Sequence, residues 1–256
     1  RVEEGQSLSF PSSFTQFKAS KESSKKSFPL SQKERLWINT LILYEDKELI
    51  ILNKPRGIAV QGGTGITRSL DNLMKIYDNK TSPRLVHRLD KDTSGILIFA
   101  RSLKTAQYLT HAFKERNIEK KYWALVYGTP QHSKGIIDLP LTKKMEKGKV
   151  RVDLNNGLPA LTQFRIIQPL KGNLTWLELT PKTGRTHQLR IHCTEGLNTP
   201  ILGDHIYGEK IPSPQKETFL HLHAHSITLP FFHQKKLSFE APLPSDFQKS
   251  LEKWEK

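Results

Sequence analysis

Cysteine occurs once in this 256-residue chain, at Cys193. A single thiol excludes an internal disulfide and any cysteine-built metal cluster, and it favours a reducing, cytoplasmic compartment. Long apolar runs are missing too. None approaches the roughly 20 residues of a membrane span, and the first residues lack the apolar core of a signal peptide. Acidic side chains are scarce beside basic ones: 25 Asp+Glu against 40 Lys+Arg, a formal net charge of +15 and a pI near 9.8. Folding does not need that excess. It favours a polyanionic partner, nucleic acid ahead of a membrane surface. At this length the chain buries one sizeable core, with room for a small appendage.

What is present centres on Leu85-Val86-His87-Arg88-Leu89-Asp90-Lys91-Asp92-Thr93-Ser94-Gly95, followed by an apolar run over 96–100. Leu85-Val86 enters as a short strand and the apolar run leaves as a buried one. Between them an imidazole, a guanidinium and two carboxylates share a bend, for which Gly95 supplies backbone freedom. A turn held between two buried strands is a rigid mount for one side chain facing a cleft, and Asp90 sits at its apex. An ordinary polar hairpin accounts for these residues equally well when they are taken alone.

Around this turn the chain divides in two. Residues 1–36 form a tail: 11–35 are rich in Ser, Lys and Pro and compose a flexible basic linker. From Trp37 to residue 256 the pattern is that of one folded unit. A buried strand over 49–53 runs into Lys54-Pro55-Arg56-Gly57, a turn whose lysine is placed to face phosphate. Gln61-Gly62-Gly63-Thr64-Gly65 is a flexible loop without the Gly-Lys-Ser/Thr of a phosphate loop. Ser102 caps a helix reaching residue 116, with Ala106, Leu109, Thr110 and Phe113 at helical spacing. Residues 120–128 are β-prone, and 141–151 form a basic stretch suited either to a solvated hairpin or to a phosphate backbone. Strands over 162–167 and 174–180 pair across a Gly172 turn. Then comes Thr183-Gly184-Arg185-Thr186-His187-Gln188-Leu189-Arg190, where Thr186 caps a short helix that closes at Gly196; Leu189, His192 and Cys193 point inward and Arg190 elsewhere. His221, His223 and His225 alternate on one strand face, which invites a metal, but no acidic or Cys ligands accompany them. The tail beyond Pro242 is helical.

His87-Arg88-Leu89-Asp90 followed by Thr93-Ser94-Gly95 resembles the signature of the RluA-type pseudouridine synthases. Four more blocks follow that family's order: the strand into Asn53-Lys54-Pro55-Arg56-Gly57, Lys120-Lys121-Tyr122-Trp123-Ala124-Leu125-Val126, the Thr183–Arg190 block, and Pro200-Ile201-Leu202-Gly203-Asp204-His205-Ile206-Tyr207-Gly208. The resemblance implies an α+β fold: a mixed, mainly antiparallel sheet with flanking helices and loops and a central active-site cleft. It implies a catalytic Asp90, a Tyr122 lying against the target base and an Arg185 paired with Asp90. It also implies substrate contacts from Arg88, Lys54, His87, Thr186, His187, Gln188, Leu189 and Arg190. Uridine would be isomerised within RNA without cofactor or metal, by a monomer, after the base is flipped out of its stack. Residues 1–8 resemble the end of an S4-type RNA-binding module, an appendage of the branch that acts on large-subunit ribosomal RNA. Transfer RNA as the substrate and a non-catalytic assembly factor are the alternatives. An Asp-x-Asp phosphatase, suggested by Asp90-Lys91-Asp92, wants an unbroken apolar strand before the motif and a later acidic pair, and this sequence has neither.

Overall fold

The computed structural model describes residues 30–62, 68–142, 149–209, 212, 217–232 and 235–255. The S4-like segment, the body of the linker, the centre of the Gly-rich loop and residues 143–148 of the basic stretch lie outside them.

The first described element is α1 (Gln32–Leu41), which starts inside the stretch read as linker. Ser31 explains this: its hydroxyl accepts from the Glu34 amide while the Glu34 carboxylate accepts from the Ser31 amide, a complete capping box. Leu30, Ile38 and Leu41 then join the core.

Among the described residues ten strands build one sheet. β1 (Ile42–Glu45) and β2 (Leu49–Lys54) form a hairpin, and β2 pairs with β4 (Ser94–Ala100), which also carries the two-residue β3 (Arg84–Leu85). Beyond β4 lie β9 (Leu222–Phe232), β5 (Glu119–Tyr127), β8 (Leu174–Pro181), β7 (Leu161–Leu170) and β6 (Lys134–Asp138), with β10 (Lys235–Glu240) on β9. Pairings between these strands are antiparallel except one: β4 meets β9 in parallel, at Ser94–His223 and Gly95–Ala224. Mixed, mainly antiparallel architecture is what the resemblance implied.

Alternation along the strands fills both faces. Leu49, Ile51, Ile96 and Ile98 pack on Ala106, Leu109 and Ala112 of α3 (Leu103–Lys114). Ile50, Leu52, Leu97 and Phe99 pack on α1 and on Leu70, Leu73 and Met74 of α2 (Leu70–Tyr77). Ser102 caps α3 as expected, accepting from the Thr105 amide at 3.0 Å, but Thr110 is exposed and Thr105 takes the inward place. In the other half of the sheet, Ala124, Val126, Leu177 and Leu179 cover Leu189 and Cys193. On its back, Leu125 and Leu174 meet Phe247 and Leu251 of α5 (Ser245–Glu255), the helix expected in the tail.

One contact fixes where the two halves join. Gly95 adopts φ +109°, and a Cβ there would stand 2.2 Å from the Ala224 carbonyl oxygen. Only glycine lets the strand leaving the Asp90 turn touch β9.

Candidate active site

Asp90 is held from beneath. Its own carbonyl accepts from the Thr93 amide at 3.2 Å, closing the turn, and the Lys91 carbonyl accepts from the Gly57 amide at 2.9 Å. Thr93 and Ser94 are buried, and the Ser94 hydroxyl lies 2.9 Å from His223 Nδ1. The other nitrogen of that ring meets the Ala241 carbonyl at 3.1 Å, so it carries the proton and Nδ1 accepts from Ser94.

Lys54 completes the support, and this corrects the expectation that it faces phosphate. It is fully buried, and its Nζ donates to the carbonyls of Pro55, Ile58 and Lys91 at 2.9, 3.1 and 2.9 Å. All three ammonium protons are used, which welds the end of β2 to the Asp90 turn. Burial pulls its pKa down to about 8, against the opposing fields of Asp92 and Asp90.

The turn opens into a cleft of about 850 Å³. Asp90, Tyr122, Arg88, His187, Leu189, Arg190 and Arg185 all line it, brought together from across the sequence as expected. Charge on its walls is one-sided: Arg88, Lys114, Arg116, Lys120, Lys182, Arg185 and Arg190 against Asp90 and Glu119. Among the described residues no donor binds the Asp90 carboxylate. Its field nevertheless reaches Lys54, Tyr122, His187, Arg190 and Tyr207.

Neither arginine of the Thr183–Arg190 block forms an ion pair with Asp90. Arg185 donates its Nε to the Pro159 carbonyl at 3.1 Å and forms no ion pair with Asp90. Arg190, expected to point elsewhere, turns inward. It is 4% exposed and binds Asp204 in a two-point pair, Nε to Oδ2 at 2.8 Å and a terminal nitrogen to Oδ1 at 2.6 Å. Asp204 also accepts from the Ile206 and Tyr207 amides at 2.9 and 3.0 Å, and these bonds with Arg190 hold its carboxyl below the usual range although burial opposes them. The Tyr207 ring lies 5.3 Å from the Arg190 guanidinium carbon, and its hydroxyl accepts from the Val150 amide and meets His187 Nδ1 at 3.0 Å. In sequence Asp204 and Tyr207 are only members of the Pro200–Gly208 block; their role follows once Arg190 is seen to be buried, because a buried guanidinium requires a carboxylate.

The helix itself is short. α4 (Gln188–Ile191) continues into a π-helical turn, His192–Gly196. His187, not Thr186, occupies the cap position, in the left-handed region at φ +54° and with no capping side chain. Thr186 is exposed and lies outside the cleft lining. Gln188 is consumed internally: its oxygen accepts from the Thr183 hydroxyl and the Arg185 amide, and its nitrogen donates to the Leu161 carbonyl and Thr162 hydroxyl. It is a brace for the loop rather than a group open to substrate. His87 is likewise committed. Its Nε2 accepts from the Ile98 amide at 3.0 Å, its ring stacks on Phe113 at 4.7 Å, and burial lowers its pKa to about 3. A neutral imidazole brings no positive charge to a phosphate. Arg88, beside it, is exposed on the cleft wall.

Tyr122 stands between two core clusters, its ring against both. Burial, with Asp90 adding to it, pushes the phenol well above its ordinary value. Such a ring offers a face to a base and is a poor proton acceptor. The alternating histidines have structural partners: His221 meets Ser250 at 2.9 Å, and His225 stacks on Trp123 at 3.5 Å. No group of three metal-ligating side chains exists among the described residues, nor does any helix there have the length and apolarity to cross a membrane.

The chain has counterparts among known proteins. The profile of the RNA pseudouridylate synthase family matches residues 48–195, and the chain belongs to that family, of the RluA type. It is 38% identical to the mitochondrial RNA pseudouridine synthase 4 of Arabidopsis thaliana, covering 89% of this chain and 62% of that protein. It is 39% identical to the ribosomal large subunit pseudouridine synthase C of Rickettsia typhi, over 82% of this chain and 70% of that one. The solved structure of human RNA pseudouridylate synthase domain containing 4 superposes with a TM-score of 0.71 at 32% identity, covering 86% of this chain and 96% of that one.

Proposed function

We propose that this chain isomerises uridine to pseudouridine in RNA, with Asp90 as the reacting carboxylate. The observation that carries the reading is the single turn that projects Asp90, with no protein donor on its oxygens among the described residues, into a basic cleft walled by Tyr122. In the reaction the N1–C1′ bond breaks, the uracil turns, and a C5–C1′ bond forms. C5 loses its proton and N1 gains one, so the conversion is redox-neutral and calls for no cofactor. The target must leave its stack to reach Asp90. A cleft of about 850 Å³ has room for an extruded nucleotide, Tyr122 supplies a stacking face, and the exposed Arg88 suits the opened strand. Arg190, held in plane by Asp204, is a fixed positive charge on the same cleft, within the field of the Asp90 carboxylate.

The substrate we propose is large-subunit ribosomal RNA. The net charge of +15 suits a long phosphate surface, and several relatives are named for the ribosomal large subunit. Others are named mitochondrial, so the proposal is for the ribosomal RNA of whichever compartment holds the protein. Testing requires unmodified ribosomal and transfer RNA transcripts, the chain and Asp90→Asn, with pseudouridine mapped in the products. Wild type should modify ribosomal RNA and the variant should not, while RNA affinity stays within a few-fold. Turnover by Asp90→Asn near wild type would remove Asp90 from the chemistry, and product confined to transfer RNA would overturn the substrate.

A further inference from the structure

A second groove, of about 600 Å³, runs along α3 from Leu103 to Lys114 and is distinct from the Asp90 cleft. Its walls come from α2, β3 and α3. Lys114 lines both cavities, so the last turn of α3 is the ridge between them. Its composition is two-sided. Leu85, Leu103 and Ala106 give apolar surface, and Leu103 is 57% exposed. Around them stand Arg84, His111 and Lys114, all exposed, with Gln107 and Thr110 as further hydrogen-bonding groups. The one acidic lining residue among those described, Asp71, is already paired with Lys75 at 2.9 Å. Among the described residues Arg84 and Lys114 have no carboxylate partner, so the groove presents net positive charge over an apolar floor.

We propose that this groove binds the single-stranded RNA that flanks the target nucleotide, bases on the Leu103 and Leu85 surface and phosphates on Arg84, His111 and Lys114. A single strand has that division of character, flat apolar bases and a charged backbone. Continuity favours RNA over an acidic peptide. β3 carries Arg84 and leads within four residues to Arg88 on the cleft wall, and Lys114 leads to Arg116 and Lys120 on the same wall, so one line of cations joins the two cavities. The inference rests on the chain being an RNA-modifying enzyme and names where its substrate runs on leaving the cleft.

The test uses the full chain and fluorescein-labelled oligouridylates of about 4 and about 12 nucleotides, lengths that bracket a short and an extended site. Anisotropy gives Kd at fixed ionic strength. Arg84→Glu should weaken the longer strand by about tenfold and the shorter by less than about twofold. Lys249→Glu makes the same charge change on an exposed position of α5, which packs on the back of the sheet, and should alter both less than about twofold. Gln107→Lys, on the exposed face of α3, should tighten the longer strand alone, a gain that misfolding cannot produce. Equal losses from Arg84→Glu and Lys249→Glu, or no dependence on strand length, would overturn the groove. Pseudouridine formation is scored separately. Binding that follows this pattern in a chain that forms no pseudouridine would leave the groove standing and remove the proposed reaction; product formed by a chain whose groove variants bind normally would do the reverse.

Discussion

Replacing Asp204 by Asn removes the charge that neutralises a guanidinium only 4% exposed. The wild-type pair is two-point, at 2.8 and 2.6 Å, and the Asp204 side chain is inaccessible to solvent. Breaking a buried pair from one side typically costs about 3–5 kcal/mol, because the remaining charge stays desolvated. Asn keeps the shape and one acceptor oxygen, so about 3 kcal/mol is expected from urea unfolding. Arg190→Gln should cost a similar amount, and the double variant less than the sum, with a coupling of about 2 kcal/mol. Activity adds a second reading. With Asp204 neutral, Arg190 turns toward the next carboxylate within its field, that of Asp90. A reacting oxygen bound by a guanidinium is blocked, so kcat should fall at least about tenfold while RNA affinity holds within about twofold. A merely structural pair predicts lost stability with kcat preserved in the folded fraction. Additive stability costs, or an Asp204→Asn enzyme with wild-type kcat, would refute the reasoning.

Lys54→Met should destabilise by about 3 kcal/mol, since three carbonyls lose their donor while the cost of burying an ammonium is relieved; a urea midpoint unchanged from wild type would contradict the bracing role. Gly95→Ala drives a Cβ to 2.2 Å from the Ala224 carbonyl oxygen at a φ of +109°, so the β4–β9 junction must part and stability should fall by about 3 kcal/mol or more. A soluble variant with the wild-type melting temperature would show that the junction yields freely. Acid should unfold the protein early. His87 is held at about 3 and His221 and His223 at about 4, all neutral when folded, whereas the unfolded chain protonates them near 6.5. The unfolded state then binds more protons below pH 6.5, so stability is full above that value and falls as pH drops. At about pH 5 each native ring is still neutral, and the loss is about 2 kcal/mol per histidine, about 6 kcal/mol together, relative to about pH 7.5. Urea midpoints at the two pH values measure it, and equal midpoints would show that these rings are charged in the native state.

Local chemistry made much of this fold legible. The runs over 49–53, 96–100 and 174–180 are apolar or alternating and became β2, β4 and β8; Ser102 could only help a helix by capping it, and it does. Asp90 was legible because a polar knot between two buried runs has one apex. Lys54 was not. In sequence it is a cation in a Pro-Gly turn, which is ordinary for a surface, and its burial depends on a carbonyl from Lys91, supplied by a different turn. The burial of Arg190 is hidden for a similar reason. The inward face of Leu189, His192 and Cys193 is as expected, but Gln188 and Arg190 are buried as well, because the loop over 200–208 covers the side of the helix that would otherwise face solvent. Which arginine is buried was decided by the loop that brings Asp204 beneath it.

These misassignments share a physical cause that bears on how the site works. The sequence offers many cations near the motifs, and all of them look like phosphate ligands in a chain of charge +15. Folding divides them. Lys54 and Arg190 go inside, each fixed by partners that use its donors, and each feels the charge of Asp90. Arg88, Lys114, Arg116 and Lys182 stay outside on the cleft walls. Exposed cations are mobile and screened, so they suit a long polyanion whose contacts must form and release. Buried cations cannot move or be screened, so they suit a carboxylate whose position must not change during reaction. The buried pair should therefore govern turnover and the exposed set affinity and its salt dependence, and the variants above divide along that line.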